Sequence, residues 1–154
     1  MKNIDELLAD YASYHQTLGN IRCHTIGIPL IVYSLIALLL LVRLPGVVIT
    51  AAEIVIVLSF LYYLMLDYKL AIALLLATCL LDVLARWVDN PMIAMAAMAT
   101  GWIFQFMGHL VYEKKSPAFF RNLQHLLIGP LFVINEYFPT TRLRSHKKIT
   151  KPQI

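Results

Sequence analysis

Five histidines are the residues of this chain best suited to chemistry near neutral pH. Imidazole titrates close to neutrality, and it is a common ligand of iron, zinc and copper. The histidines are spread along the sequence, so whether they form one site depends on how the chain folds. They are His15, His24, His109, His125 and His146.

The composition indicates a membrane protein. Of 154 residues, 60% are hydrophobic and only 14% are charged, and the mean hydropathy is +0.71. Soluble domains average about 25% charged residues. A body of this size cannot bury so much apolar surface in water, so we expect a single domain embedded in lipid.

Four hydrophobic runs have about the 20-residue length that crosses a bilayer. We therefore predict an all-α, polytopic membrane protein with about four transmembrane helices. A fifth, shorter run contains Gly129-Pro130, which is typical of a re-entrant or interfacial helix. The predicted spans are Ile26–Val42, Val47–Leu66, Leu70–Val88 and Met92–Val111, the fifth run is Leu123–Phe138, and a basic tail follows at 139–154.

The basic residues predict the orientation of these spans. Four spans place the N-terminus, the second turn and everything after Val111 on one side. That side holds eleven of the thirteen lysines and arginines, and only Arg43 and Arg86 lie on the other. The bias predicts cytoplasmic termini, in a bacterial inner membrane or the endoplasmic reticulum. The basic tail favours contact with anionic lipid, and no nucleic-acid partner is expected.

This topology places all five histidines on the cytoplasmic side. His15 and His24 are nine residues apart and would point in opposite directions on one continuous helix. Gly19-Asn20 suits a helix end followed by a helix start, so we expect a break there. We predict an interfacial helix at 4–18, with Leu7, Leu8, Tyr11 and Tyr14 at the membrane interface, and a second helix beginning near Asn20.

Gln105, His109 and Glu113 form an i, i+4, i+8 stripe at the cytoplasmic end of the fourth span. A carboxylate one turn from a histidine is a metal ligand, a partner that holds the imidazole, or an ordinary surface group. The spacing therefore permits a metal site. It equally permits interfacial histidines that bond only to lipid headgroups or to the backbone.

Charged residues inside the spans have a structural explanation. Asp82 and Arg86 are i,i+4 neighbours near the outer end of the third span. Glu53 lies in the second span, on the side away from the histidines. We predict that Arg86 pairs with both carboxylates.

Two segments carry a more specific pattern. The first contains Tyr14-His15, Asn20, His24 and Pro29. The second reads GWIFQFMGH from Gly101 to His109 and continues with Glu113-Lys114, Pro117-Ala118, Asn122-Leu123, Pro130, Phe132 and Glu136. Together they resemble the membrane 2-hydroxy fatty acid dioxygenases, and the resemblance covers nearly the whole chain.

The resemblance implies an Fe(2+)-dependent enzyme of fatty acid α-oxidation. Such an enzyme converts a long-chain 2-hydroxy fatty acid and O2 to a fatty acid one carbon shorter. Its metal ligands here would be His15, His24, His109 and His125. Glu113, Gln105 and Asn20 would orient ligands or substrate or take part in catalysis, and Lys114 or Arg121 would hold the substrate carboxylate.

Two other interpretations stay open at this point. A b-haem held between His24 and His109 would make the chain a membrane electron carrier. A membrane scaffold or lipid-binding protein would contain the histidines without using them. The sequence predicts no oligomeric state.

Overall fold

The computed structural model describes residues 3–117 and 123–137, and these residues are almost entirely helical. The predicted all-α fold is confirmed. An isolated β-bridge joins Arg43 to Thr50 in one turn. In chain order the helices are α1 (Ile4–Ser13), α2 (Leu18–Leu39), α3 (Ala51–Leu64), α4 (Tyr68–Val88), α5 (Pro91–Met107) and α6 (Gln124–Tyr137), with a π-helical segment (Gly108–Glu113) directly after α5.

Three of the described helical stretches are long and apolar enough to cross a membrane. They are α2, α4, and α5 together with the π-helical segment. Helix α3 is apolar but has 14 residues, a length of about 21 Å. Large apolar side chains on α4 and α5 are exposed, among them Leu76, Leu80 and Met92. Lipid is the surrounding that such a surface requires.

The break before α2 lies earlier than the sequence predicted. Helix α1 ends at Ser13, and α2 begins at Leu18 with Thr17 as its N-cap. The Thr17 hydroxyl accepts a hydrogen bond from the Asn20 backbone amide at 3.3 Å. The prediction of a break at Gly19-Asn20 was therefore wrong. Both residues belong to the first turn of α2, because the threonine cap meets the need for an acceptor there.

The apolar face of α1 is buried inside the protein. Leu7, Leu8 and Tyr11 are 4%, 0% and 4% exposed, and they pack in a core shared with α3, α4 and α6. Tyr14 is partly buried. The prediction that these side chains lie at the membrane interface was wrong for the first three, because α4 and α6 cover them.

Helices α2 and α5 pack closely against each other. A Cβ atom added to Gly101 would lie 2.9 Å from the carbonyl oxygen of Gly27, and one added to Gly27 would lie 2.8 Å from the carbonyl oxygen of Gly101. Glycine at both positions therefore lets the two backbones approach. This contact fixes the first turns of α2 beside the last turns of α5.

An ion cluster lies at the other end of the helices. Arg86 bonds to Asp82, with 2.8 Å between Nε and Oδ2, and also pairs with Glu53. Both predicted pairings are confirmed. Since Glu53 also caps its own helix by bonding to Thr50, the cluster joins the start of α3 to the end of α4.

Candidate metal centre

Three buried histidines meet where α1, α2 and α5 come together. His15, His24 and His109 are 3%, 2% and 3% exposed. One ligand atom from each ring lies within 4.8 Å of the others. Among the residues that the structure describes, this is the one group of three with such a separation. The predicted convergence of these three histidines is confirmed.

Backbone carbonyls orient the first two rings. The Nδ1–H of His15 donates to the Tyr11 carbonyl at 2.7 Å, and that of His24 donates to the Asn20 carbonyl at 3.0 Å. In a neutral imidazole the second nitrogen then carries a lone pair and no proton. The two Nε2 atoms lie 3.0 Å apart. Two lone pairs facing each other so closely repel unless a cation or a proton lies between them.

This arrangement fits a metal ion. Two nitrogen ligands about 2.1 Å from one ion and at right angles to each other lie about 3.0 Å apart, and tetrahedral ligands lie about 3.4 Å apart. The 3.0 Å between the Nε2 atoms of His15 and His24 is therefore short enough for both to bind one ion. Three histidines alone would leave further ligand positions on such an ion open.

His109 completes the triangle from the π-helical segment. Its ring centroid lies 4.8 Å from those of His15 and His24. Its buried Nδ1 has no hydrogen-bond partner among the described residues. Segments of π-helix are frequent at functional sites, because the wider turn shifts a side chain relative to the helix before it. An unpartnered buried imidazole nitrogen is what a metal ligand presents before the ion binds.

Gly108 makes room for this arrangement. A Cβ atom at this position would lie 2.5 Å from Asn20 Oδ1 and 3.2 Å from His24 Nδ1. A side chain there would push against the side-chain oxygen of Asn20 and the ring of His24. The glycine therefore allows the π-helical segment to lie directly against the first turns of α2.

Burial keeps His15 neutral. The loss of hydration on burial, assisted by the nearby His24, lowers the pKa of His15 to about 2, although its bond to the Tyr11 carbonyl acts in the opposite direction. A neutral imidazole is the form that binds metal ions. The Tyr11 ring also stacks on the His15 ring, with 4.0 Å between centroids and 7° between planes.

Glu113 anchors the link between α1 and α2. Its carboxylate accepts hydrogen bonds from the Gln16 amide at 3.2 Å, from the Thr17 amide at 3.1 Å and hydroxyl at 2.9 Å, and from Asn20 Nδ2 at 3.2 Å. The residue lies outside the group of three histidines. Of the alternatives for this carboxylate, the contacts favour a partner that holds the site together.

The two predicted amides have different surroundings. Asn20 donates from Nδ2 to Glu113 and, at 3.2 Å, to the Tyr14 carbonyl, while its backbone carbonyl holds His24. Gln105 is 7% exposed and lines the cavity beside the histidines. Its Nε2 has no partner among the described residues. Asn20 therefore orients His24, and Gln105 presents a free hydrogen-bond donor beside the cavity.

His125 lies beside the three histidines but outside their group. It comes from α6, lines the same cavity, and its Nε2 lies 3.2 Å from the Asp10 carboxylate. Its ring contacts those of Tyr11 and Tyr14. Its buried Nδ1 has no partner among the described residues.

Lys114, one of the two residues predicted to bind the substrate carboxylate, does not line the cavity beside the histidines. Lys114 is exposed and follows the π-helical segment in a left-handed conformation, φ 54°. Its backbone amide bonds to the His109 carbonyl, which ends that segment. Arg121, His146 and the basic tail at 139–154 lie outside the described residues.

A cavity of about 80 Å³, partly open to its surroundings, extends from the histidines between α2, α5 and α6. Sequence reasoning missed Tyr11 and Trp102, which line it. Tyr11 is buried because α6 packs against it through Phe132 and Gly129. The spacing of Tyr11, four residues before His15, is the signal that could have found the first. The lining residues are Tyr11, His15, His24, Ile28, Ile31, Val32, Trp102, Gln105, His109, His125, Leu126, Gly129 and Pro130.

Comparisons with known proteins identify the family of this chain. Residues 1–140 match the model of a family described as 2-hydroxy-palmitic acid dioxygenase Mpo1-like. The chain is 33% identical over 133 residues to the 2-hydroxy-palmitic acid dioxygenase MPO1 of Saccharomyces cerevisiae, covering 84% of this chain and 76% of the yeast protein. No solved structure matches the chain.

Proposed function

Because the chain belongs to the Mpo1-like family of 2-hydroxy-palmitic acid dioxygenases, we propose that it is an Fe(II)-dependent membrane dioxygenase. Its substrates are a long-chain 2-hydroxy fatty acid and O2, and its product is the fatty acid one carbon shorter. The observation that carries this proposal is the buried triangle of His15, His24 and His109 at the head of a mostly apolar cavity.

The three histidines are the residues that would hold the iron. Bound Fe(II) supplies electrons for the activation of O2, and three neutral ligands leave its positive charge available to an α-hydroxy carboxylate. The Tyr11 and Asn20 carbonyls fix the rings of His15 and His24, and Glu113 fixes the loop between them. Such supporting contacts preserve ligand geometry during turnover.

The atom balance defines the products. One molecule of 2-hydroxy acid and one of O2 equal one molecule each of the shorter acid, CO2 and water. The bond between C1 and C2 and the C2–H bond break, and a new C2–O bond forms. One oxygen from O2 enters the new carboxyl group and the other leaves with C1 as carbonic acid, the hydrated form of CO2, so the reaction needs no external reductant.

The cavity separates the two ends of this substrate. The carboxylate and the 2-hydroxyl lie at the histidines, where the Gln105 amide donates to one of their oxygens. The acyl chain lies along the apolar walls. His125 lies beside the carboxylate, and Lys114 and Arg121 stay predictions for contacts to it.

We also propose the membrane arrangement that the sequence predicts. Helices α2, α3, α4 and α5 cross the bilayer, and α6 is re-entrant or interfacial. The charge bias supports cytoplasmic termini and a site at the cytoplasmic edge, in a bacterial inner membrane or the endoplasmic reticulum. Leu8 of α1, Ile128 of α6 and Leu70 in the first turn of α4 share one core, which supports the location of α1, α6 and the start of α4 on one side.

The geometry does not favour the b-haem alternative. Axial ligands of a haem lie on opposite faces of a porphyrin that separates them. Here the rings of His24 and His109 are 4.8 Å apart between centroids, and His15 lies beside both. A scaffold without activity is disfavoured as well, because burying imidazole nitrogens without hydrogen-bond partners costs stability that such a protein would not need to lose.

An isotope experiment tests the reaction. The purified, iron-loaded protein is given 2-hydroxyhexadecanoic acid and ¹⁸O₂, and the products are measured by mass spectrometry. We expect pentadecanoic acid with one ¹⁸O atom. Absence of the shorter acid, or a shorter acid without the label, would overturn the proposed reaction.

A further inference from the structure

The two ends of the histidine cavity differ in exposure. The histidines themselves are buried, and Ile28 next to them is 8% exposed, although Leu126 beside His125 is 46% exposed. At the far end Ile31, Val32, Trp102 and Pro130 are partly exposed. The cavity is therefore open at this far end, where lining residues of α2, α5 and α6 are all partly exposed.

The open end lies at the depth of the hydrocarbon. Val32 is eight residues beyond His24 on α2, about 12 Å further along the helix. Trp102 is seven residues before His109 on the antiparallel α5, so it lies at a similar depth. Both helices belong to stretches apolar and long enough to span a membrane. The opening thus faces lipid, and among the described residues no lysine, arginine, aspartate or glutamate lines the cavity.

We infer that this opening is a lateral portal, formed by Ile31, Val32, Trp102 and Pro130, through which the substrate's acyl chain passes into the bilayer. The inference rests on the proposed function and adds to it the position of the chain. The occupant is a single alkyl chain, because the cavity leads without interruption from the histidines to lipid and its walls beyond Gln105 are apolar.

The portal predicts how the enzyme selects its substrates. A long acyl chain exceeds the roughly 12 Å between the histidines and Val32, so its far carbons lie in lipid. Adding carbons there changes few contacts with the protein. A methyl branch at the portal instead meets Val32 and Trp102. The enzyme should therefore select against mid-chain branching and tolerate variation in length.

Two substitutions change the portal in opposite directions. Val32→Trp narrows it, and we expect kcat/KM for long chains to fall about tenfold, since overpacking carries a penalty of that order. A short 2-hydroxy acid that ends before Val32 should keep its rate within about twofold. Trp102→Ala widens the portal and should raise the rate on a mid-chain methyl-branched acid relative to the straight acid.

Ile103→Ala is the matched control. Ile103 follows Trp102 on α5, is 64% exposed and does not line the cavity. Its substitution should leave unchanged the ratio of rates on long and short acids and the ratio of rates on branched and straight acids. Iron content reports whether each variant is folded. An equal loss of long and short substrates in iron-containing Val32→Trp would overturn the portal.

Fluorescence gives a readout that needs no turnover. The chain has two tryptophans, and Trp87→Phe removes the other, which is 82% exposed at the end of α4. In detergent, a 2-hydroxy acid brominated at mid-chain should quench Trp102 saturably, and unlabelled 2-hydroxy acid should reverse the quenching. Bromine beside the carboxyl group or at the chain end should quench less.

The two measurements separate the portal from the reaction. Position-dependent, competed quenching without any chain-shortened product would retain the portal and refute the dioxygenase. Product formation with quenching that is unsaturable and equal for all bromine positions would retain the dioxygenase and refute the portal.

Discussion

The Nε2 atoms of His15 and His24 lie 3.0 Å apart, although nine residues separate the two histidines and a helix break lies between them. Each ring is held by a carbonyl four residues earlier, that of Tyr11 or Asn20. Both lone pairs consequently point at one place. The break between α1 and α2 is what brings two distant sequence positions together as a pair that could bind one metal ion.

The number of histidine ligands can be tested by comparing His125 with His109. We expect His125→Asn to retain about one iron per chain and His109→Asn to lose it, because only His109 belongs to the buried group of three and loss of a ligand is more damaging than loss of a neighbour. Iron is measured after gel filtration. Loss of iron from both variants would instead indicate four histidine ligands.

Glu113→Gln tests whether the carboxylate supports the site or binds the metal. The amide replaces an oxygen that accepts bonds from Gln16, Thr17 and Asn20. We expect the free energy of unfolding of the metal-free protein to fall by about 2 kcal/mol. Iron affinity should fall by about 10- to 100-fold.

Glu136→Gln is the control for that substitution, since Glu136 is exposed near the end of α6 and should leave both quantities unchanged. Unfolding is followed in detergent by circular dichroism. Complete loss of iron from Glu113→Gln, with unaltered stability, would show that Glu113 is a ligand.

Sequence reasoning predicted the meeting of the histidines because it rests on topology. Four spans bring both ends of the chain to one side of the membrane. A helix break between His15 and His24 then lets the two side chains point toward each other. The position of the break could not be predicted, because its anchor, Glu113, comes from 96 residues further along the chain.

The walls of the cavity were harder to predict than its head. Tyr11 was predicted to lie at the membrane interface, and its contacts with α6 place it inside the protein. The pairing of Arg86 with Asp82 was predictable, since the i,i+4 spacing and an apolar span require it. Iron and oxygenase chemistry were predicted from the family resemblance, because spacing alone fits several metals.

Acid should destabilise the metal-free protein. The pKa of His15 is about 2 in the folded chain and about 6.5 when unfolded, so between these values the unfolded state binds more protons. Its contribution to stability is complete above pH 6.5 and is lost as the pH falls, by up to about 1.4 kcal/mol per pH unit. This pH dependence is measured as the change in the thermal unfolding temperature of the metal-free protein between pH 8 and pH 5. His15→Asn should flatten the profile, and an unchanged slope would contradict the assignment.

Reconstitution of the metal-free protein with Fe(II) tests the central claim most directly. Formation of the chain-shortened acid from a long-chain 2-hydroxy acid is followed as iron is added under controlled O2. We expect activity to rise in proportion to bound iron and to reach its maximum at about one iron per chain, while His24→Ala binds no iron and forms no product. Full activity in the metal-free protein, or no product from protein that holds iron at the three histidines, would contradict an iron-dependent reaction at this site.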